Sequence, residues 1–385
     1  MSKQRLLYII PTFGKGGAEH QTLNQVNYLH QHGHDVSLII LSNRTGLKEK
    51  LQIPAEKVFF FNNERLRKFG ANTFKELSNA TSKLKKCFQS IQPDVIISVL
   101  PVAHFLTRYT FLRQGKSSKH FAWHRSMQYK AAPNNTLFRK VIHQFNKWLS
   151  KKYDDGHFFI SEAVKADISK HLPIRNGHVI HNALPTTPLL PDLGKAYLAE
   201  HKIDVDYLIT IPGRLHPVKG HEFFIESTAE FIKKIGTKKR IKVLILGGGP
   251  EYEKLTTLVE NTNLSAYYHF SQEIDNALLL SLVFQSNLVV IPSFLEGFGN
   301  VVIEGLMLWK NILASKAGGI PEILSKPDIG FLFDVGDSGG LNQQLKRLVV
   351  EGIALDPVQL KKHFKDNFTL EAQIEQLLHI IKASN

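Results

Sequence analysis

Three observations predict an α/β protein built from two parallel-sheet domains. Short apolar runs alternate with amphipathic helical stretches along the chain, a proline-marked break falls near residue 186, and the same alternation restarts beyond it. The length of 385 residues suits two domains of about 100–200 residues each. With 43% hydrophobic and 21% charged residues the chain can bury real cores, which excludes a disordered chain. A single thiol, Cys87, excludes an intramolecular disulfide framework and a Cys-based zinc site, and fits a reducing compartment.

In chain order, Arg5 to Pro11 reads as a buried strand and Ala18 to Gln31 as a helix. Asp35 to Leu41 and Lys57 to Phe61 are the next strands. Asn72 to Ile91 is helical, because Phe74, Leu77, Leu84, Phe88 and Ile91 recur at helical spacing. Pro93 stops that helix before the strand Asp94 to Leu100. Lys119 to Trp123, His157 to Ser161 and His178 to His181 complete the first set. Pro185, Pro188 and Pro191 mark a linker. Beyond it, Tyr207 to Ile211, Lys242 to Leu246, Tyr267 to Phe270, Leu288 to Ile291, Ile312 to Ser315 and Gly330 to Phe333 read as strands with helices between them. The expected domains are 1–185 and 186–367, with a terminal helix over 368–385, and the cleft between the domains is the expected ligand site.

Four loops at strand ends carry candidate chemistry. Gly14-Lys15-Gly16-Gly17 follows the first strand and opens a helix, where bare backbone and a helix N-terminus favour an anion. Its spacing is not that of the dinucleotide fingerprint. Gly213-Arg214-Leu215-His216-Pro217-Val218-Lys219-Gly220 puts two cations at the carboxyl end of a strand, a pairing suited to a diphosphate. Gly247-Gly248-Gly249-Pro250 again sets bare backbone at a strand end. Glu296-Gly297-Phe298-Gly299-Asn300-Val301-Val302-Ile303-Glu304 combines two carboxylates with the amides of a helix start near Asn300. With an exposed Phe298, that loop suits a ligand rich in hydroxyls. Asp204-Val205-Asp206 precedes a strand and reads as a solvated turn.

Together these residues resemble the retaining nucleotide-sugar glycosyltransferases of family four, over nearly the whole chain. The carriers are the early glycine loop, Gly213-Arg214-Leu215 with Lys219-Gly220, the pair Glu296 and Glu304 with seven residues between, and Gly318-Gly319-Ile320-Pro321-Glu322. Ser161-Glu162 and His181-Asn182 also fall in the family's order. The resemblance implies the GT-B fold, two facing Rossmann-like domains with a central cleft, and no metal or cofactor. Arg214 and Lys219 then hold the donor diphosphate, and Glu304 accepts hydrogen bonds from the ribose hydroxyls. Glu296, with the backbone of Phe298, Gly299, Asn300 and Val301, holds the transferred sugar. Gly16, Gly17 and Gly248 approach the donor. The resemblance also implies a histidine near the reacting sugar, with His124 preferred. His104 and Arg125 are the acceptor-facing candidates. The helix near Leu370 to Lys382 corresponds to the segment that crosses back onto the first domain. The chain departs from the family where Met307, Trp309 and Asn311 replace Ala, Gly and Pro, and where Gln272 replaces a glycine. His216 beside Arg214 is also unusual. These departures leave the nucleobase preference open, with UDP the commonest choice.

Charge divides the chain. Residues 1–184 hold 28 Lys+Arg against 11 Asp+Glu, a net of +17, while residues 185–385 hold 20 against 23, a net of −3. Arg65-Leu66-Arg67-Lys68, Lys83, Lys85, Lys86, Arg139, Lys140, Lys147, Lys151 and Lys152 supply much of the excess. Over Leu137 to Tyr153, Phe138, Val141, Ile142, Phe145, Trp148 and Leu149 share one broad helical face. The expected partners are a nucleotide-sugar donor, a glycolipid or oligosaccharide acceptor and an anionic inner-membrane surface, with no nucleic acid. No apolar run approaches the roughly 18 residues of a membrane span, and no signal-peptide core is evident. The expectation is a cytoplasmic enzyme held peripherally at the inner face of the membrane. The alternatives are a nucleotide-sugar epimerase or a phosphorylase on the same architecture, or a basic nucleic-acid-binding protein.

Overall fold

The computed structural model describes residues 4–14, 16–61, 73–131, 137–185 and 188–384. Lys15, the basic run Arg65 to Lys68, the expected helix start at Asn72 and Thr186-Thr187 of the linker lie outside the described residues. The chain divides into two compact units, Met1–Pro185 with Leu370–Asn385, and Thr186–Thr369.

Unit 1 contains the strands β1 (Arg5–Ile10), β2 (Asp35–Ile40), β3 (Val58–Phe60), β4 (Val95–Val99), β5 (Lys119–His124), β6 (Gly156–Phe159) and β7 (Gly177–Val179). Its helices are α1 (Gly17–Gln31), α2 (Thr73–Ile91), α3 (Pro101–Gln114), α4 (Gln128–Ala131), α5 (Leu137–Tyr153) and α6 (Glu162–Ser169). The sheet order is β3-β2-β1-β4-β5-β6-β7, with every pairing parallel. In β1 all residues from Leu6 to Ile10 are buried, because helices cover both faces and leave no wet side to alternate against. Ser161 caps α6 by accepting a 3.1 Å bond from the Val164 amide.

Unit 2 contains β8 (Tyr207–Pro212), β9 (Ile241–Leu246), β10 (Tyr268–Phe270), β11 (Leu288–Ile291), β12 (Asn311–Ser315) and β13 (Phe331–Phe333). Its order is β10-β9-β8-β11-β12-β13, again parallel throughout. The helices are α7 (Pro191–Glu200), α8 (His221–Gly236), α9 (Tyr252–Asn261), α10 (Asn276–Gln285), α11 (Asn300–Met307), α12 (Ile320–Ile323), α13 (Ser338–Leu345) and α14 (Pro357–Asn367). Pro191 belongs to the first turn of α7 rather than to the linker, because its missing amide hydrogen costs nothing there. The last helix, α15 (Leu370–Ala383), returns to unit 1. There Gln373 accepts a 2.7 Å bond from Gln25 of α1, and Leu377 and Ile381 are buried.

In each sheet the chain direction across the sheet reverses once, between β1 and β4 and between β8 and β11. Loops leaving the carboxyl ends of those strands diverge and open a crevice, where open α/β sheets bind ligands.

Candidate active site

The unit 2 reversal point brings two of the four sequence loops together. The Gly213–Gly220 loop leaves β8 and the Pro292–Gly299 loop leaves β11. Backbone bonds tie them, with the Phe294 and Leu295 amides donating to Val218 oxygen at 2.8 and 3.3 Å. Gly220 has φ +72°, and a Cβ there would lie 2.0 Å from the Pro292 carbonyl oxygen. Only glycine lets the loops pass this closely. Lys219 consequently forms an ion pair with the Glu296 carboxylate. The Ser293 hydroxyl donates a 3.3 Å bond to the same carboxylate oxygen. Arg214 is exposed and has no ion-pair partner among the described residues.

The triple-glycine loop joins the same group. The Gly213 amide bonds Leu246 oxygen at 2.9 Å, and the Leu215 amide bonds Gly248 oxygen at 3.0 Å. Gly318, at φ +54°, meets the Glu296 carbonyl so closely that a Cβ would lie 1.7 Å from that oxygen. The Gly318-Gly319 turn thus supports the back of the Glu296 loop.

Helix α11 starts at Asn300 and carries Glu304 on its second turn. Glu304 is partly buried, and desolvation pushes its carboxyl up to about 7. No neighbouring charge offsets that cost. Phe298 corrects the sequence expectation of an exposed ring. It is 2% exposed and packs edge-on against Phe368, with ring centroids 6.1 Å apart. Its side chain is core, and any ligand contact from this residue would be through the backbone. Val301 is half-buried at the helix start, next to the buried Val302.

Two family departures keep the backbone of the glycines they replace. Gln272 has φ +57° and Trp309 has φ +57°, both left-handed. Gln272 compensates with a 3.3 Å bond to the Tyr252 hydroxyl, and Trp309 by stacking under the Lys361 ammonium at 4.7 Å. Asn311 accepts a 2.9 Å bond from the Leu355 amide. Asp204 and Asp206 hold Arg240 at 2.6 and 2.8 Å on the surface, as befits a solvated turn. Near that turn a cavity of about 320 Å³ is lined by Lys202, Lys239, Arg240 and Lys242, at the amino ends of the strands and away from the motifs.

In unit 1, Gly16 caps α1 just after β1, and both Gly16 and Gly17 are exposed. The Glu19 carboxylate accepts a 2.7 Å bond from Thr12 beside them. The expected ring-presenting histidine does not fit its placement. His124 ends β5, is 2% exposed and stacks on Phe159, with its Nε2 3.2 Å from His157 Nδ1. Burial, then His157, hold its ring well below the usual imidazole range. His104 is equally buried, with Nδ1 2.8 Å from the Ser98 hydroxyl, which also lies 2.7 Å from His120 Nε2. Arg125 turns inward too. It donates to Asn182 at 2.8 Å and Gln25 at 2.9 Å and lies 4.0 Å from the Trp123 ring, and burial lowers its pKa to about 9.

His104 and His124 belong to a buried polar network that sequence reasoning missed. Arg108 of α3 donates to Asp154 at 2.9 and 2.6 Å and to Asn146 at 2.8 Å. His120 Nδ1 lies 2.9 Å and His157 Nε2 3.6 Å from Asp154. Burial opposes ionisation of Asp154, yet Arg108 and His120 hold its carboxyl well below the usual range. The alternating placement of His120, His124 and His157 on adjacent strands was the available signal.

The family model described as "Glycosyltransferase Family 4" matches residues 15–187, and that described as "Glycosyl transferases group 1" matches residues 197–367. The N-acetyl-alpha-D-glucosaminyl L-malate synthase of Bacillus anthracis is 30% identical over 125 residues, 32% of each chain. The match thus spans about a third of that relative's length. Among solved structures, Anabaena HepE in complex with UDP superposes with a TM-score of 0.80 at 17% identity, covering 99% of this chain and 100% of that one. The lipopolysaccharide outer core galactosyltransferase WaaB gives 0.75 at 15% identity, covering 99% and 100%. These likenesses extend to the whole fold, both family models fall in register with the two units, and the chain belongs to the group 1 glycosyltransferases, with the two Rossmann-like units of the GT-B fold.

Proposed function

We propose that this protein transfers a sugar, with retention of configuration, from a nucleoside-diphosphate sugar to a lipid-linked or surface-polysaccharide acceptor. The observation that carries the reading is the Lys219–Glu296 pair at the reversal point of unit 2, with Arg214 on the same loop as Lys219 and the raised Glu304 carboxyl on the helix that follows Glu296. A diphosphate entering there exchanges solvent, and part of Glu296, for Lys219 and the exposed Arg214. Arg grips oxygens bidentately and Lys acts as a point charge. Ribose hydroxyls supply the donors that Glu304 lacks. Glu296 and the α11 start then face the transferred sugar.

In the transfer step the glycosyl–phosphate bond breaks and its electron pair leaves with the diphosphate. The acceptor oxygen bonds the anomeric carbon, and its proton passes to a leaving phosphate oxygen. Pre-placed cations stabilise the charge that develops on the diphosphate without needing a metal. Front-face attack of this kind retains configuration and needs no protein nucleophile. We place His104, His124 and Arg125 behind the acceptor-binding surface, as supports rather than contacts, in keeping with their burial.

UDP is the favoured nucleotide, supported by the UDP complex of HepE. The net +17 of residues 1–184 supports an acceptor carried at an anionic membrane, and the likeness to a lipopolysaccharide galactosyltransferase is in keeping with it. Among the described residues no helix is long and apolar enough to cross a membrane, so the proposed association is peripheral. Thermal-shift measurements against UDP, GDP, ADP and single-stranded oligonucleotides test the reading. Stabilisation by a nucleoside diphosphate is expected, and stabilisation by oligonucleotide alone overturns it.

A further inference from the structure

From Lys140 to Tyr153, where the side chains are described, the amphipathic stretch does not bury its apolar face as one piece. Helix α5 splits it in two. Leu149 and Tyr153 are buried with Ser150, and Asn146 on the same side accepts a 2.8 Å bond from the buried Arg108. That bond fixes the rotation of the helix about its axis. Val141, Phe145 and Trp148 are left facing outward, at 61, 37 and 46% exposure. At about 100° per residue they occupy one narrow arc, roughly 60° wide, along about two turns. Phe145 and Trp148 stack with centroids 5.9 Å apart, and the edge of Phe145 rests on Phe105 at 6.2 Å, so the ridge is rigid.

The ridge is bordered by cations. Lys140, Lys147 and Lys151 are exposed and lie together along one flank, and Lys152 sets its ammonium 5.2 Å over the Trp148 ring. There is no acidic residue on α5 before Asp154. Single exposed apolar residues are ordinary, but three in register, two of them aromatic and flanked by four lysines, are not. Indole at a polar–apolar boundary, with lysine stems reaching past it to charged headgroups, is the chemistry of a helix lying in a bilayer interface.

We propose that α5 is the membrane-docking element of this protein, inserting Val141, Phe145 and Trp148 among the lipids of an anionic bilayer while Lys140, Lys147, Lys151 and Lys152 engage the headgroups. The inference rests on the peripheral-membrane part of the proposed function and gives it a specific surface. The positive charge selects an anionic lipid surface over a second copy of this chain, whose identical ridge would bring like charges together.

The test uses the full chain carrying Trp309→Phe, which leaves Trp148 as its exposed tryptophan beside the buried Trp123. Vesicles of phosphatidylcholine alone and of phosphatidylcholine with one-fifth phosphatidylglycerol are compared at low salt. Binding to the anionic vesicles, a blue-shifted Trp148 emission and quenching by brominated lipid are expected. A Val141→Ser/Phe145→Ser/Trp148→Ser variant, which alters only exposed side chains, should bind about tenfold or more weakly with unchanged far-UV circular dichroism and UDP affinity. If wild type binds anionic vesicles and the triple variant binds equally, the α5 assignment is wrong and the charge-based membrane reading survives. If wild type binds neither vesicle, both fail. Equal binding to both vesicles removes the lysine role. A concentration-dependent dimer abolished by the triple variant would make the ridge a protein interface and overturn the proposal.

Discussion

Replacing Glu304 by Gln tests the site through its own electrostatics. Burial raises the Glu304 carboxyl from 4.5 to about 7. At about 1.4 kcal/mol per unit, that difference makes the ionised side chain cost the fold about 3 kcal/mol, reduced to roughly 1–3 by its partial exposure. The sign follows from proton counting. Between 4.5 and about 7 the folded state holds more protons than the unfolded one, so stability falls as pH rises through that window and stays lower above it. Gln cannot ionise and removes the slope. Relative to wild type, Glu304→Gln should gain about 2–4 °C per kcal/mol in the melting transition of unit 2 at pH 8, and much less at pH 5. Calorimetric scans at the two pH values read this directly. Nucleotide binding supplies the complementary signal. Ribose hydroxyls donating to the carboxylate lower its pKa, so UDP binding should release protons near pH 7 in wild type and not in Glu304→Gln, seen as a buffer-dependent enthalpy. An equal stability difference at pH 5 and pH 8 would mean that Glu304 does not titrate with a raised pKa in the folded protein.

Other outcomes follow from the same geometry. Asp154→Ala removes the only acidic group of the buried network and strands Arg108, so unit 1 should lose about 3–5 kcal/mol, measured by urea denaturation. His157, lowered to about 4 by burial, binds its proton more readily unfolded, so stability should be complete above about 6.5 and drain away as pH falls towards 4. Unit 1 amide protection measured by hydrogen exchange across that range would show the loss. Trp309→Gly should relieve the left-handed strain at φ +57° and stabilise unit 2 by about 1 kcal/mol, despite losing the stack with Lys361.

Every run read as a strand forms one, and the central strands stand out because parallel strands covered on both faces are continuously apolar, as β1 and β11 are, whereas the edge strands β3 and β7 are only half-buried. The loop motifs were legible for a related reason. Gly220 and Gly318 are demanded where a Cβ would lie 2.0 and 1.7 Å from a neighbouring carbonyl oxygen, and such positions leave a compositional mark. Direction was not legible. Phe298 lies two residues beyond the Glu296 it was grouped with, yet it points into the core. His124 sits at a strand end, where periodicity leaves its facing undetermined, and only the neighbouring strands decide that it is buried. The outward turn of Phe145 and Trp148 depends on Arg108 holding Asn146, a contact 38 residues apart in sequence. Gln272 and Trp309 show the converse, since their left-handed backbone persists without the glycine that announces it.

In the proposed function, unit 2 binds a nucleoside diphosphate through Lys219 and its neighbours. Calorimetric titration of UDP into wild type and Lys219→Ala measures it. Saturable binding by wild type and about 10–100-fold weaker binding by the variant, the loss of one charge-assisted contact, are expected, with circular dichroism unchanged. Equal affinities in the two proteins would contradict it.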